Sequence, residues 1–318
     1  IDEFLKTFDK YSYNNKLYGR IVFHIILGLI IRHLKIFLGG GYIDPRIHLF
    51  LMGDSGSGNS KPYPLIYQIL SALGYNVQSL DELTDAALVG SVEENIEARH
   101  ARQSEALERF IVVEGLLASV DFFYFDEASV LFTDNKHSKN VLIYFQKAFN
   151  PLGSPQNIIS KKLAHGKMIY ASPICSGLFL SFIPKDILEY IINKGYFQRI
   201  VTLILEITDE QQRTNQDKEF DLVGLNLVKE EDINSTILFF ENTKKLTEKL
   251  EDIPFPKNKK VLFKLQENKL FELTKNSNER IRKIFRTFKS RYMNMIYVFS
   301  LHATIIRNTE LIMNGEKT

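Results

Sequence analysis

The apolar positions change period several times along the chain, and each change marks an element. Residues 1–40 carry a helical pattern that ends at the turn "GGGYIDP". The longest apolar run, "IVFHIILGLIIRHLKIFL", is broken by His24, Arg32, His33 and Lys35. It is too polar for a spanning helix of about 20 apolar residues and reads as a buried amphipathic helix. "IHLFLM" then reads as a fully buried strand, followed at once by a glycine-rich loop. Leu65, Ile66, Ile69, Leu70 and Leu73 recur at helical spacing, with Gly74 placed as a C-cap glycine. "YNVQSL" predicts a second strand, and residues 92–109, charged and free of glycine and proline, predict an exposed helix. "FFYFDEAS" is an apolar strand ending in two carboxylates, and "KMIYAS" and "RIVTLILEI" predict further strands. Strands alternating with helices predict an α/β fold with a mostly parallel sheet.

After Asp209 the sequence turns polar, "DEQQRTNQDKEFD", and reads as a linker. Beyond it "VLFKLQENKLFELT" predicts a hairpin, and Ile281, Ile284, Phe285, Phe288, Tyr292, Met295, Ile296 and Phe299 form a stripe at helical spacing that suits core packing. Three parts follow: a helical segment over 1–40, a core over 41–208, and a linker with a smaller C-terminal helical and hairpin region over 209–318. The 318 residues, 45% hydrophobic, are enough for a large core. With 40 basic against 38 acidic side chains, the net charge of +2 is no whole-chain polyanion signature, so nucleic-acid contact requires local patches. The single Cys175 excludes an internal disulfide framework and suits a reducing compartment, cytoplasmic, nucleoid-associated or nuclear rather than secreted. No signal peptide or membrane anchor is visible, and a chain opening on Ile1 is expected to be a piece of a longer polypeptide. The seven histidines show no metal-ligand spacing.

Two motifs carry the candidate chemistry. In "GDSGSGNS", Gly53, Gly58 and Ser60 fit the phosphate-loop pattern between a buried strand and a helix, and Asp54, Ser55, Gly56 and Ser57 complete the loop. Glycines let backbone N–H groups converge on phosphate oxygens, and a serine hydroxyl at position 60 suits Mg²⁺. The pattern's lysine is replaced by Asn59, which can donate a hydrogen bond but carries no charge. Lys61 is a poor substitute, because two further helical residues turn its side chain roughly 200° away. Pro62 suits a first helical turn, whereas Pro64 removes a helical hydrogen bond. The second motif is the strand ending in Asp126 and Glu127, a pair suited to holding Mg²⁺ and to polarising an attacking water. A solvated acidic turn is the plain alternative.

In order along the chain, "GDSGSGNS", "TDAALVGSV", "VEGLLASVDFFYFDEAS", "QNIISKKLAHGKMIYASP" and "GYFQRIVTLILEITDE" resemble the AAA+ ATPase domains of minichromosome-maintenance-type and related plasmid or virus primase-helicases. The likeness spans roughly residues 45–210, with an echo at "SRYMNMIYVFSLHATIIR". It departs from the family pattern at Ser55, where a proline is usual, and at Asn59. The resemblance implies a P-loop NTPase fold with a smaller, mainly helical C-terminal region, binding ATP and Mg²⁺. Residues 53–61 would bind nucleotide, Ser60 and Asp126 the metal, and Glu127 would activate water. Arg199 would be the arginine finger reaching a neighbouring subunit in a ring-like homo-oligomer such as a hexamer. Ser172 would be the first sensor, where many relatives carry asparagine, and Arg291 the second. Lys161, Lys162, His165 and Lys167 would line a hairpin gripping the backbone of single-stranded or forked DNA. An arginine at a strand edge and an ordinary solvated turn are the plain alternatives for Arg199 and the hairpin. The implied function is the motor domain of a replicative DNA helicase, impaired by Asn59. A catalytically silent AAA+ subunit for assembly or DNA binding is the alternative, and a small-molecule kinase lacks an acceptor-site signature.

Overall fold

A computed structural model describes residues 1–11, 16–38, 41–53, 57–81, 83–95, 110–132, 140–181, 199–222, 230–250, 252–253, 259–275 and 279–315. Its centre is a five-stranded, all-parallel sheet. The strands are β3 (Leu49–Gly53), β4 (Val77–Ser79), β7 (Phe122–Phe125), β10 (Ser176–Ser181) and β11 (Val201–Leu205), in the spatial order β11-β3-β10-β7-β4. The period of two splits each strand between two cores. Leu49, Leu51, Phe122, Tyr124, Leu178 and Leu180 face one side, while Phe50, Met52, Phe123, Phe125 and Phe179 face the other. Both faces are covered, which is why the strands read as continuous apolar runs.

Helix α3 (Tyr63–Ala72) packs on the first face, and α5 (Val141–Ala148) on the second through Phe145. Gly74 follows α3 at φ +82°, the left-handed turn that its sequence position predicts. The first face is also covered by α1 (Asp2–Tyr11), α2 (Lys16–Ile30), α7 (Glu230–Thr247) and the long α9 (Glu279–Met313). Helix α2 is buried nearly all round and touches strand-leading backbone. A Cβ at Gly28 would lie 2.4 Å from the Pro45 carbonyl, so only glycine lets it approach. His302 of α9 bonds the same Pro45 carbonyl through Nε2 at 3.0 Å, and its Nδ1 meets His24 Nδ1 of α2 at 3.0 Å. N-terminal and C-terminal helices therefore share one core with the sheet. No helix among the described residues is long and apolar enough to cross a membrane.

Several elements differ from their sequence-based expectation. The helical start ends at Ile30, because "KIFL" forms β1 (Lys35–Leu38), paired antiparallel with β2 (Gly41–Ile43) and parallel with β12 (Asp252–Ile253). Instead of a helix from residue 92, β5 (Gly90–Glu94) pairs antiparallel with β6 (Phe110–Glu114), and residues 96–109 lie outside the described residues. Cross-strand Val92 and Val112 reward that pairing. "KMIYAS" does not join the parallel sheet: β9 (Met168–Ala171) folds back on β8 (Ile159–Lys162) around His165 at φ +56° and Gly166 at φ +73°. Its expected place is taken by β10, whose short apolar core "GLFL" was not read as a strand. The polar segment after Asp209 is α6 (Asp209–Leu222) rather than a linker. It begins with a capping box, Gln211 N–H donating to Thr208 Oγ1 and Thr208 N–H to Gln211 Oε1. The expected hairpin over 261–274 is α8 (Lys259–Thr274). Its apolar residues stand three and four apart, a helical spacing.

Candidate functional site

Parallel strands deliver their following loops to one edge. From β3 the chain moves toward β4 at one end of the sheet, but every later crossover moves the opposite way. Helices α3 and α5 lie on opposite faces, and β3 stands where the connections part, the place at which open α/β sheets generally bind ligands. Two sequence motifs meet at this edge. The rung Phe50–Phe179–Phe125 aligns β3, β10 and β7, so Asp126 and Glu127 leave β7 at the level of Leu51 and Met52, on the same end of the sheet as Gly53 and one to two residues short of it. With β10 between them, β3 and β7 stand two strand spacings apart, roughly 10 Å.

The loop folds back over its strand. A Cβ on Gly53 would meet Asn59 Nδ2 and lie 2.9 Å from Ser57 Oγ, so any larger residue there would push both side chains aside. Gly58 sits at φ +74°. Asp54, Ser55 and Gly56 lie outside the described residues. Ser57 is buried, Asn59 half-buried, and Ser60 and Lys61 exposed. The amide of Asn59 thus covers Gly53, and its Oδ1 is buried without a hydrogen-bond partner. Pro62 and Pro64 have no N–H, and the Tyr63 N–H turns back to the Ser60 carbonyl at 3.1 Å, so α3 begins only at Tyr63. The Asn59 carbonyl, released from the helix, accepts instead from the Tyr18 hydroxyl of α2 at 2.9 Å.

Asp126 is exposed, and its Oδ1 accepts from the Tyr124 hydroxyl at 2.9 Å. Burial, and secondarily the Asp126 carboxylate, push the phenols of Tyr18 and Tyr124 up, so both remain protonated donors. The Tyr124 ring stacks on Tyr63 at the start of α3, with centroids 4.0 Å apart. Glu127 is half-buried, and its Oε1 accepts from the Ser129 N–H at 2.9 Å, capping the turn that follows.

Arg199 and Ser172 lie elsewhere. Arg199 precedes β11 at the amino edge of the sheet, away from the loop, where its Nε donates to Asn150 Oδ1 at 2.9 Å. Asn150 belongs to a buried network: Arg46 donates to both Asp44 oxygens and to the carbonyls of Cys175 and Asn150, the latter two at 2.8 Å. Ser172 follows β9, and three residues lead from it to the amino end of β10. It therefore does not occupy the carboxyl end of the strand between β3 and β7, because that strand is β10. Arg291 lies on α9 with its side chain outside the described residues.

In the β8–β9 hairpin, alternation turns Lys162 outward and Lys161 toward the body, where its Nζ donates to the Asp85 carbonyl at 3.1 Å. His165 at the tip stacks on Phe110 with centroids 3.8 Å apart, and Lys167 is half-buried beside it. Burial pushes the Cys175 thiol up to about 12, which keeps it an unreactive thiol.

No protein-family model matches this chain, and no curated protein is significantly similar to it. Three residues of the site went unread in the sequence. Tyr124 was legible in principle, two positions before Asp126 and so on the same strand face. Tyr18 and Asn150 carry no local signal, because only tertiary packing brings them to the loop and to Arg199.

Proposed function

We propose that the chain is an AAA+-type P-loop NTPase, the motor domain of a replication protein that acts on DNA as a helicase or translocase, with its phosphate grip weakened by Asn59. The observation that carries this reading is the convergence at one sheet edge. A glycine-rich loop at the point where the crossovers diverge lies at the same end of the sheet as an acidic strand end two strands away. Backbone N–H groups of the loop would bind the phosphates of ATP. Asp126 and the Ser60 hydroxyl are hard oxygen donors that suit Mg²⁺, and they would hold it together with substrate oxygens. That ion would supply neutralisation of charge developing on the phosphates. Glu127, with one oxygen fixed by Ser129, would orient and polarise the attacking water. Arg199, on the opposite edge, cannot serve its own loop and would act on a neighbouring copy in a ring. Lys162, His165 and Lys167 would meet a DNA backbone through charge rather than sequence.

A second reading, a silent AAA+ subunit retained for assembly or DNA binding, is favoured by one feature. Asn59 is uncharged, and Pro62 and Pro64 withdraw two N–H donors where the loop enters α3. Steady-state ATPase activity with and without single-stranded DNA, on this chain and on Asn59→Lys, separates the two. The motor reading expects DNA-stimulated hydrolysis in the variant, about 10²-fold above the parent. Silence in both, with the variant folded and assembled, selects the silent subunit.

A further inference from the structure

Two buried phenols tie together the parts of the site that the sequence motifs leave separate. We infer that Tyr18 and Tyr124 are positioning residues for the nucleotide site, Tyr18 holding the phosphate loop and Tyr124 aiming Asp126; the inference rests on the phosphate-site reading.

Tyr18 is 1% exposed and reaches the loop from α2, outside the strand–loop–helix unit, with its ring edge-on to Phe8 at 5.1 Å. Its hydroxyl donates to the Asn59 carbonyl, whose α-helical donor, the Tyr63 N–H, bonds Ser60 instead. Without it the Asn59 carbonyl can recover a donor only by drawing the Tyr63 N–H away from Ser60, which reshapes the entry to α3. An unpaired backbone acceptor in a half-buried loop favours rearrangement of that loop. Tyr124 is 3% exposed, and stacking on Tyr63 fixes its ring. Its hydroxyl therefore fixes Asp126 Oδ1 in direction and leaves the other carboxylate oxygen for a metal or its bound water. Both phenols belong to the same core beneath the site, one bonding the residue next to Ser60 and the other Asp126.

The test uses the full chain, Tyr18→Phe and Tyr124→Phe, which keep the aromatic packing. Binding of a fluorescent ATP analogue is titrated in EDTA and at rising Mg²⁺, and amide exchange over residues 57–61 is followed without nucleotide. Tyr124→Phe is expected to bind in EDTA as the parent does but to need about tenfold more Mg²⁺. Tyr18→Phe is expected to lose affinity several-fold in both conditions and to exchange its loop amides faster than the parent. A purely structural role would not separate the two variants by metal dependence. A Tyr124→Phe chain with the parent's Mg²⁺ dependence, or a Tyr18→Phe chain with the parent's loop exchange and affinity, overturns the inference and leaves the phosphate-site reading standing. A parent chain that binds the analogue in neither condition overturns both.

Discussion

The two edges of the parallel sheet are built on opposite principles. At the amino edge, Arg46 and Asp44 are buried, and the guanidinium donates to three partners: Asp44, Cys175 and Asn150. The Leu152 N–H adds a further donor to Asp44 Oδ2 at 2.8 Å. At the carboxyl edge Asp126 and Ser60 are exposed, Asn59 Oδ1 is buried without a partner, and single hydroxyls hold the loop and the carboxylate. A saturated network fixes geometry, whereas the proposed phosphate and metal site would have to leave coordination unfilled. Arg199 joins the saturated edge through Asn150.

The sharpest way to break this contrast is Arg46→Ala. It strands the Asp44 carboxylate in the core and is expected to cost about 3–5 kcal/mol, read as a lowered urea midpoint. The same loss of charge at Asp126, Asp126→Asn, should leave the midpoint nearly unchanged. Next in size, Arg199→Ala in the Asn59→Lys background should lower ATPase activity by roughly 10³-fold. Mixing it with an Asp126→Asn chain should recover part of the activity if the arginine works between copies; no recovery at any ratio removes the role in trans. Glu127→Gln in the same background should lower hydrolysis by about 10²-fold while leaving nucleotide affinity within a factor of about two. A parallel loss of affinity would make Glu127 a structural cap only.

The smallest expected effect concerns the histidine pair that joins α2 to α9. Burial holds His24 down to about 4 and, with the adjoining His24 ring adding to it, His302 down to about 3. Both rings are neutral in the fold and take up protons on unfolding once the pH falls below about 6.5, the ordinary histidine value. The unfolded chain then binds more protons, so stability is complete above about pH 6.5 and falls as the pH drops toward 4. A loss of roughly 2 kcal/mol for each ring between pH 7 and pH 5 is expected in urea titrations. His302→Phe should flatten this slope, and an unchanged slope would place the acid sensitivity elsewhere.

Much of this molecule was legible in its sequence wherever one element carried its own signal. The buried strand "IHLFLM", the helix from Tyr63 with Gly74 beyond it, and the strand ending in Asp126 all follow from period and local backbone chemistry. Where a short segment satisfied two periods, the pattern alone did not decide. "KIFL" and residues 90–94 became strands because partner strands supplied hydrogen bonds, and "VLFKLQENKLFELT" became a helix. The acidic strand and the glycine loop could each be named in advance, but their separation by β10 depended on strand order, which no local signal encodes. By itself the sequence determined the α/β alternation, the phosphate-loop pattern with its missing lysine and the paired carboxylates, because each is written in neighbouring residues. Only the tertiary structure decided that Arg199 stands on the far edge, that Asn150 holds it, and that Tyr18 reaches the Asn59 carbonyl from 41 residues away. Those contacts join segments distant along the chain, and packing of the whole core selects them.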